Sequence, residues 1–399
     1  MDESLSPLAA AAGPADATPR TLRIEFTGSG SEYFRIWIVN LLLSLVTLGL
    51  YLPFAKARRL RYFCANTRVD GHALSFHGDP WRMFRGFVLL AVLAGAYALA
   101  KHLSMVAGMV AFAVLAALWP ALWRSSLRFR MGNTSWRGLR MSFRGTLFGA
   151  YKAMLPIYLP ALCFLTPQAL LDPEHPEQNL AAVHTAMTIF GVGFAAMLLL
   201  YPWGLALLKR YQHGGYAIAS QRARLEVPTR RFYGFCLKGV LMYVGSLVAL
   251  MALVALVAVV FGAAHWRNMD GGQARTFGVW IAIAFGLVYV LLLALIAPWF
   301  AARLQNLVWS GTHSAELRFD SRLRVRELAG LTVANWLLTA VTLGLYRPFA
   351  AVATARLRLQ AVSLTLDGDV DTWIAQENVS ERDASGDAAG DFFGFDIGL

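Results

Sequence analysis

Two asparagines within apolar segments are the residues of this chain best suited to bind a polar solute or an ion. Asn40 and Asn335 are 295 residues apart, and each follows a glutamate, Glu32 or Glu327, by eight residues. Amide and carboxylate groups are costly inside a membrane, so those that occur there often mark a solute pathway. In the simpler alternative, each asparagine joins two helices through one hydrogen bond, and each glutamate stabilises a helix N-terminus.

A nine-residue block recurs at the same offset. The pattern TLGLY-x-PFA occupies residues 47–55 and again residues 342–350, which indicates an internal duplication. Gly49 and Pro53 in the first copy, like Gly344 and Pro348 in the second, lie inside apolar runs, where both residue types break or bend a helix. We therefore expect an interrupted helix in each copy.

The elements that carry these residues are those of a membrane protein. Hydrophobic residues make up 57% of the chain and charged residues 15%, against roughly 45–50% and about 25% in soluble domains. Six further apolar runs reach the roughly 20 residues that a spanning helix needs. They are 83–103, 104–123, 146–166, 184–208, 234–263 and 278–302.

The basic residues are distributed unevenly between the connections. Loops 55–82, 124–145, 209–231 and 303–326 hold 6, 6, 6 and 5 Lys and Arg, whereas the three intervening connections hold 1, 0 and 2. This is the positive-inside pattern, and it predicts that the four basic loops and both termini are cytoplasmic. The net charge of +12 then indicates contact with anionic lipid headgroups and not with nucleic acid.

Short stretches of alternating apolar and polar residues lie between the apolar runs. Each ends near a glycine or another small residue, which is typical of a short strand and a turn. Their markers are Phe26, Phe76, Phe143, Leu225, Phe319 and Leu366. Because strands cannot lie open in lipid, we expect a small cytoplasmic sheet.

The spacing of these markers determines the expected topology. Each of the three middle intervals contains two apolar runs, whereas each outer interval contains one of the duplicated segments, 33–55 or 328–350. The predicted fold is therefore mainly α: six transmembrane helices in three hairpins, flanked by two re-entrant or interfacial helices. The alternative is eight spans, which would make the two copies an inverted pair.

The remaining sequence indicates one membrane domain between two tails. We expect a disordered tail at 1–20 without a signal peptide, a repeat-built domain at 21–374, and an acidic tail at 375–399. The domain consists of outer units 22–80 and 315–370 around central hairpin units 81–314. The three cysteines lack metal-ligand spacing and no catalytic motif is present, so no metal, cofactor or enzyme activity is expected.

Several motifs together resemble the YjgN-like family of bacterial inner-membrane proteins. They are the TLGLY-x-P block, the stretch NTSWRGLRMSFRG at 133–145, and the acidic tail that ends in FDIGL. The resemblance covers nearly the whole chain from about residue 21, and it implies a multi-pass inner-membrane protein without assigned catalytic residues. The second TLGLY copy departs from the first in lacking counterparts of Lys56, Arg58 and Arg59, which disfavours two equivalent basic sites.

Two classes of function agree with these observations. The first is a transporter or channel for a small solute, with the paired asparagines and broken helices between pseudo-symmetric halves. The second is a non-transporting scaffold or lipid-interacting protein that uses its cytoplasmic strands and basic loops. The sequence indicates no particular solute and no protein partner.

Overall fold

The computed structural model describes residues 19–170, 180–265 and 270–377, and this part of the chain is mainly helical, as the sequence predicts. The helices are α1 (Gly30–Val46), α2 (Leu52–Ala65), α3 (Pro80–Leu103), α4 (Met105–Gly132), α5 (Leu147–Leu170), α6 (Leu180–Gly214), α7 (Thr229–His265), α8 (Gly271–Trp309), α9 (Val325–Val341) and α10 (Arg347–Gln360). A further helix at 370–377, which we term the plug helix, follows the last strand.

The strands are short and belong to one sheet. They are β1 (Arg20–Phe26), β2 (Thr67–Val69), β3 (His72–Phe76), β4 (Thr134–Trp136), β5 (Leu139–Phe143), β6 (Tyr216–Ile218), β7 (Gln221–Arg222), β8 (Arg224–Leu225), β9 (Thr312–His313), β10 (Leu317–Ser321) and β11 (Val362–Leu366). Their spatial order is β7-β6-β5-β4-β3-β2-β1-β11-β10-β9-β8. Only Ala223 separates the two end strands, so the sheet is a nearly closed ring of antiparallel strands.

This sheet is larger than the small sheet expected from the sequence. The difference arises because stretches expected to be single strands are tight strand hairpins. Asp70 and Gly71 between β2 and β3 have φ of 50° and 77°, and Arg137 and Gly138 between β4 and β5 have φ of 50° and 88°. Two consecutive positive φ values are the signature of the type I′ turn, which reverses a strand within two residues.

Five helical hairpins stand on the ring, and each returns to the side from which it started. The pairs α1–α2, α3–α4, α5–α6, α7–α8 and α9–α10 connect β1 to β2, β3 to β4, β5 to β6, β8 to β9 and β10 to β11. In all five cases the two connected strands pair directly with each other. All strand markers identified in the sequence therefore lie at one end of the molecule.

The two TLGLY blocks form matching turns between helices. The Thr47 hydroxyl donates to the Leu43 backbone oxygen at 2.7 Å and accepts from the Tyr51 N–H at 3.0 Å. Thr342 makes the same pair of bonds at 2.6 and 3.0 Å. The flanking helices α1 and α2 have 17 and 14 residues, about 25 and 21 Å, which is shorter than the roughly 30 Å hydrocarbon core.

Within the described residues, five helices are long and apolar enough to cross a membrane. They are Pro80–Leu103, Met105–Gly132, Ala181–Gly214, Thr229–Val257 and Gly271–Trp309, and the stretch Leu147–Cys163 of α5 is a shorter apolar segment. Between 6% and 17% of their most apolar windows is buried. Most of the surface of these helices therefore faces either lipid or an open interior.

The main core lies inside the ring and is completed by the plug helix. Leu22, Leu139 and Leu366 on the strands pack with Val370, Trp373 and Ile374 of this helix, and the same cluster includes residues of β2, β4 and β10. One short helix can contact strands spread over most of the sheet only because the sheet curves around it.

Candidate membrane passage and its basic lining

The ten helices form a closed circle above the ring. Each helix contacts the next one along the chain, and α10 contacts α1 as well as β1. The most extensive contact is between α5 and α6, whereas α3–α4 and α7–α8 contact each other less. We term the region that this circle of helices encloses the lumen.

Five hydrogen bonds attach the returning helices to the ring. In each, a side chain near the end of an even-numbered helix donates to a backbone oxygen just beyond a neighbouring strand. The bonds are Arg61 to Gly78 (3.1 Å), Arg124 to Gly145 (2.8 Å), Arg210 to Val227 (2.8 Å), Asn306 to Leu323 (2.9 Å) and Arg356 to Gly28 (2.8 Å). The last one joins the end of the helical circle to its beginning.

The returning helices also contact one another at the ring end, although they are not consecutive in the chain. The rings of Trp123 and Tyr211 lie 5.3 Å apart, those of His213 and Trp309 lie 5.1 Å apart, and Arg358 bonds to Gln305 at 2.8 Å. In addition, Ala57 and Phe129 belong to one hydrophobic cluster, and Phe63 packs against another that contains Val352. Helices α2, α4, α6, α8 and α10 therefore form an inner circle, which narrows the lumen next to the ring.

Basic side chains of this inner circle lie close to one another across helices that are not neighbours. Lys56 of α2 is within electrostatic range of Arg130 of α4, and Lys209 of α6 is within range of Arg358 of α10. Burial, and then repulsion from Arg130, lowers the pKa of Lys56, although its side chain remains solvent-accessible. A lysine that is partly desolvated by protein and still reached by solvent agrees with a position that faces the lumen.

We term this set, together with two further arginines, the lumen cations. They are Lys56, Arg59, Arg130, Lys209, Arg347 and Arg358. Among the residues that the structure describes, no carboxylate forms an ion pair with any of them. The lumen therefore carries a positive potential, which favours anions over cations.

A cavity of about 1180 Å³ lies where α2, α8, α9 and α10 meet. We term it the arginine chamber, because Arg59, Arg347 and Arg358 line it together with Asn335 and Thr354. Helices α2 and α8 are not neighbours in the circle, so a cavity that touches both lies on the lumen side. Burial lowers the pKa of Arg358, but a guanidinium remains charged in proteins.

The plug helix closes the lumen at the ring. The buried carboxylate of Glu377 accepts hydrogen bonds from the Ser220 N–H at 2.9 Å, the Ser220 hydroxyl at 2.6 Å and the Gln221 amide at 3.3 Å. At the other end of the plug helix, Asp371 forms an ion pair with Arg137 at 2.6 Å. These contacts anchor both ends of the helix to turns of the ring.

The structure places the sequence-predicted asparagines in different surroundings. The Asn335 side chain lines the arginine chamber and donates to the Thr354 hydroxyl at 3.3 Å. Asn40 is buried on α1, and its side-chain oxygen has no hydrogen-bond partner among the described residues. The chamber brings Asn335 together with Arg59 but does not include Asn40, so the two asparagines do not form one symmetric site.

The two glutamates lie near the ring. Glu32 is in the first turn of α1, where its N–H is capped by Ser29 and its carboxylate accepts a bond from the Tyr62 hydroxyl at 3.3 Å. Glu327 is in the first turn of α9 and pairs with Arg324 at 2.9 Å. Both carboxylates therefore lie at the starts of helices and outside the arginine chamber.

The predicted helix-breaking residues surround the TLGLY turns. Gly49 and Gly344 have φ of 89° and 95° within the turns. Pro53 and Pro348 occupy the first helical turn of α2 and α10, where a proline loses no intrahelical hydrogen bond.

Sequence reasoning missed the lumen cations and the plug helix. A recurring basic residue at the ring end of the returning helices was the available signal, but the positive-inside pattern accounts for the same residues. The acidic tail expected from residue 375 begins within the plug helix, which extends to 377 and buries Glu377. The remaining tail residues, the FFGFDIGL segment and the first 18 residues lie outside the described part of the chain.

The fold defines a multi-pass helical membrane protein whose helical hairpins stand on one curved sheet, with the plug helix packed inside that sheet. The chain belongs to the family described as bacterial protein of unknown function (DUF898), whose model matches residues 21–392. No solved structure matches it at a significant level.

Curated relatives agree with this assignment and with the resemblance noted in the sequence. The inner membrane protein YjgN of Salmonella typhimurium (strain LT2) is 22% identical over 369 residues, which cover 88% of this chain and 89% of the relative. YjgN of Escherichia coli O157:H7 is 29% identical over 138 residues, 34% of each chain. The protein is therefore an inner-membrane protein.

Proposed function

We propose that the protein is a channel or transporter that admits small anions through the lumen, and that the plug helix holds it closed. The observation that carries this proposal is the set of lumen cations, which lie without carboxylate partners among the described residues on the inner side of a closed circle of helices. Rings of basic side chains are the usual lining of anion pathways.

The membrane placement that fits this proposal has the ring in the cytoplasm. The basic loops that the positive-inside pattern assigns to the cytoplasm coincide with the strand hairpins. Hairpins α3–α4, α5–α6 and α7–α8 then supply six spans. The short hairpins α1–α2 and α9–α10 re-enter from the cytoplasmic side, with the TLGLY turns at their tips. In this placement the protein acts by passage of a solute and not as an enzyme.

Ion flux through reconstituted liposomes tests the proposal. We expect the full-length protein to show little conductance, because the plug helix is docked. The variant Glu377→Ala, which removes three hydrogen bonds of the plug helix, should conduct chloride on the order of tenfold faster than potassium. Adding Lys56→Gln to this variant should reduce the preference for chloride.

The control is Arg322→Gln in the Glu377→Ala background, because the Arg322 side chain is 88% exposed. This change should leave the chloride preference unaltered. A failure of both the native protein and the Glu377→Ala variant to conduct either ion would contradict a passage through the lumen.

A specific groove favours a second candidate function, that of a lipid-interacting scaffold. Arg231, Lys238 and Arg303 line a cavity of about 690 Å³ between the ring ends of α7 and α8. Phe235 and Trp299 stack beside it at 5.7 Å. Basic and aromatic side chains together suit an anionic lipid headgroup at the membrane interface. Vesicle binding that depends on this groove, with no ion flux, would favour this alternative.

A further inference from the structure

We propose that the arginine chamber is a binding site for an anion that carries a hydrocarbon chain. This inference concerns the interior on which the proposed function rests, and it names a ligand class for that interior. Its test measures binding to the protein in detergent, so its outcome is independent of whether any solute is transported.

Three arginines spread along the chamber give it a polar side that attracts an anionic headgroup. Arg59 comes from α2, whereas Arg347 and Arg358 come from the two ends of α10. Each guanidinium presents a fork of N–H donors that fits a carboxylate or a phosphate. The described residues that line the chamber include no aspartate or glutamate. A bound anion would therefore neutralise positive charge that no carboxylate of the chamber neutralises.

Two of these arginines are already held in position by the protein. Arg358 donates to the Gln305 side chain at 2.8 Å, and Gln305 in turn donates to the Arg358 backbone oxygen at 2.9 Å. Neither Arg59 nor Arg347 has a hydrogen bond to a carboxylate among the described residues. The Arg59 guanidinium lies over the ring of Phe63, 5.6 Å from its centre. Positioning two of the three guanidinium groups in advance lowers the entropic cost of capturing an anion.

Other lining residues of the chamber are apolar. They include Leu287, Val290 and Ala294 of α8 and Trp336 of α9. Leu287 is 61% exposed and Trp336 is 44% exposed, so apolar surface is available to a ligand. A small hydrophilic anion would leave this surface uncovered, whereas a hydrocarbon chain would cover it.

The size and position of the chamber agree with such a ligand. Its volume of about 1180 Å³ is above the roughly 300–1,000 Å³ of most small-molecule sites. Arg347 and Arg358 are eleven residues apart on α10, about 16 Å along the helix axis. Helices α9 and α10, which line the chamber, have 17 and 14 residues, whereas α8 has 39. In the proposed membrane placement, an amphiphile would enter from the bilayer over this short hairpin.

Direct binding to the full-length protein in a non-ionic detergent tests the proposal. The probe is oleoyl lysophosphatidic acid. Oleoyl lysophosphatidylcholine has the same chain and a zwitterionic head, and inorganic phosphate has the charge without the chain. We expect the lysophosphatidic acid to bind at least tenfold more tightly than either comparison compound. Dioleoyl phosphatidic acid distinguishes a two-chain membrane lipid from a single-chain amphiphile as the source of the same chemistry.

The variants Arg59→Gln and Arg347→Gln should each weaken binding of lysophosphatidic acid by about tenfold, the usual loss for one charge-assisted hydrogen bond. The matched control is Arg318→Gln, on the exposed face of β10 and outside the chamber, which should bind as the native protein does. Each variant must retain its unliganded melting temperature. If one fails this criterion, Arg59→Lys replaces Arg59→Gln, because it keeps the charge but loses the bidentate fork.

Equal binding of lysophosphatidic acid and lysophosphatidylcholine would overturn the proposal, as would equal binding of inorganic phosphate. Chamber variants that bind like the native protein would also overturn it. Binding without ion flux through the Glu377→Ala variant would retain this site and reject the proposed passage. Ion flux through that variant without binding would retain the passage and reject this site.

Discussion

Arg356, near the end of the last helix of the circle, donates a hydrogen bond of 2.8 Å to the backbone oxygen of Gly28, which is 328 residues earlier in the chain. Four equivalent bonds around the ring connect residues within 21 positions of each other. The Arg356 bond is thus the side-chain counterpart of the β1–β11 pairing, and both close the molecule into a circle.

Replacing Arg356 should therefore destabilise the closed circle of helices more than replacing a surface arginine would. We expect Arg356→Ala to reduce the stability by about 1–3 kcal/mol, because the hydrogen bond is charge-assisted and the Gly28 carbonyl loses its partner. Thermal unfolding in detergent measures the change. Arg322→Ala removes an exposed pair with Asp320 and should cost at most about 1 kcal/mol; equal losses for both variants would contradict a closing role for Arg356.

The plug helix should depend on its buried carboxylate. Glu377→Gln keeps the shape but removes the charge that accepts three hydrogen bonds, so we expect faster amide hydrogen exchange throughout 370–377. The control is Asp371→Asn, because the Asp371 side chain is 72% exposed and its ion pair should contribute little. Unchanged exchange in Glu377→Gln would show that the apolar contacts alone hold the plug helix in the ring.

The TLGLY turns should require glycine for its backbone conformation. Gly344 has a φ of 95°, where an alanine side chain is strained, so Gly344→Ala should destabilise the protein by about 1–2 kcal/mol. Gly330 lies within α9, and an added methyl group there meets nothing within 4 Å. Gly330→Ala should therefore raise the melting temperature slightly. A loss of stability at Gly330 equal to that at Gly344 would contradict this interpretation.

The thiol of Cys64 should react slowly with alkylating reagents. Burial raises its pKa to about 11, so about one thiol in a thousand is ionised at pH 8, against about one in four for an ordinary cysteine. In a protein with Cys64 as its single cysteine, we expect the rate to rise about tenfold per pH unit between pH 8 and 10. Detergent denaturation should abolish this protection, and a rate that levels off near pH 9 would contradict it.

The same shift has a consequence for stability. Because the pKa of Cys64 is higher in the folded protein than in the unfolded chain, the protonated thiol favours the fold. This contribution is complete below the pKa of the unfolded thiol and is lost as the pH rises through about 11. Native Cys64 should therefore have no effect on the pH dependence of unfolding between pH 6 and 8.

The sequence allowed the mainly helical membrane class and the location of the strand regions to be predicted. Apolar runs of spanning length and strand markers such as Phe26 and Phe76 are local signals, so they appear in a single sequence. Closure of the ring could not be read in this way, because β1 pairs with β11 and Arg20 lies opposite Leu366. Such pairing depends on the geometry of everything between the two strands.

The candidate site was harder to predict than the fold. Asn335 was identified because an amide in an apolar run is conspicuous, and it lines the arginine chamber. Arg59 and Arg358 were not singled out, since a cation at the cytoplasmic end of a helix already has an explanation in the positive-inside pattern. Whether such a side chain faces lipid or the lumen depends on which helices become neighbours, and this is a tertiary property.

The placement of every strand on one side of the membrane is the central claim, and single-cysteine labelling in intact cells tests it most directly. In a cysteine-free background, Ser104→Cys lies between α3 and α4, whereas His72→Cys and Asp367→Cys lie at the ring, and all three positions are exposed. We expect an impermeant thiol reagent to label Ser104→Cys from outside, and the other two variants only after the membrane is permeabilised. Labelling of Asp367→Cys from outside would instead establish eight spans with inverted ends and contradict the five returning hairpins.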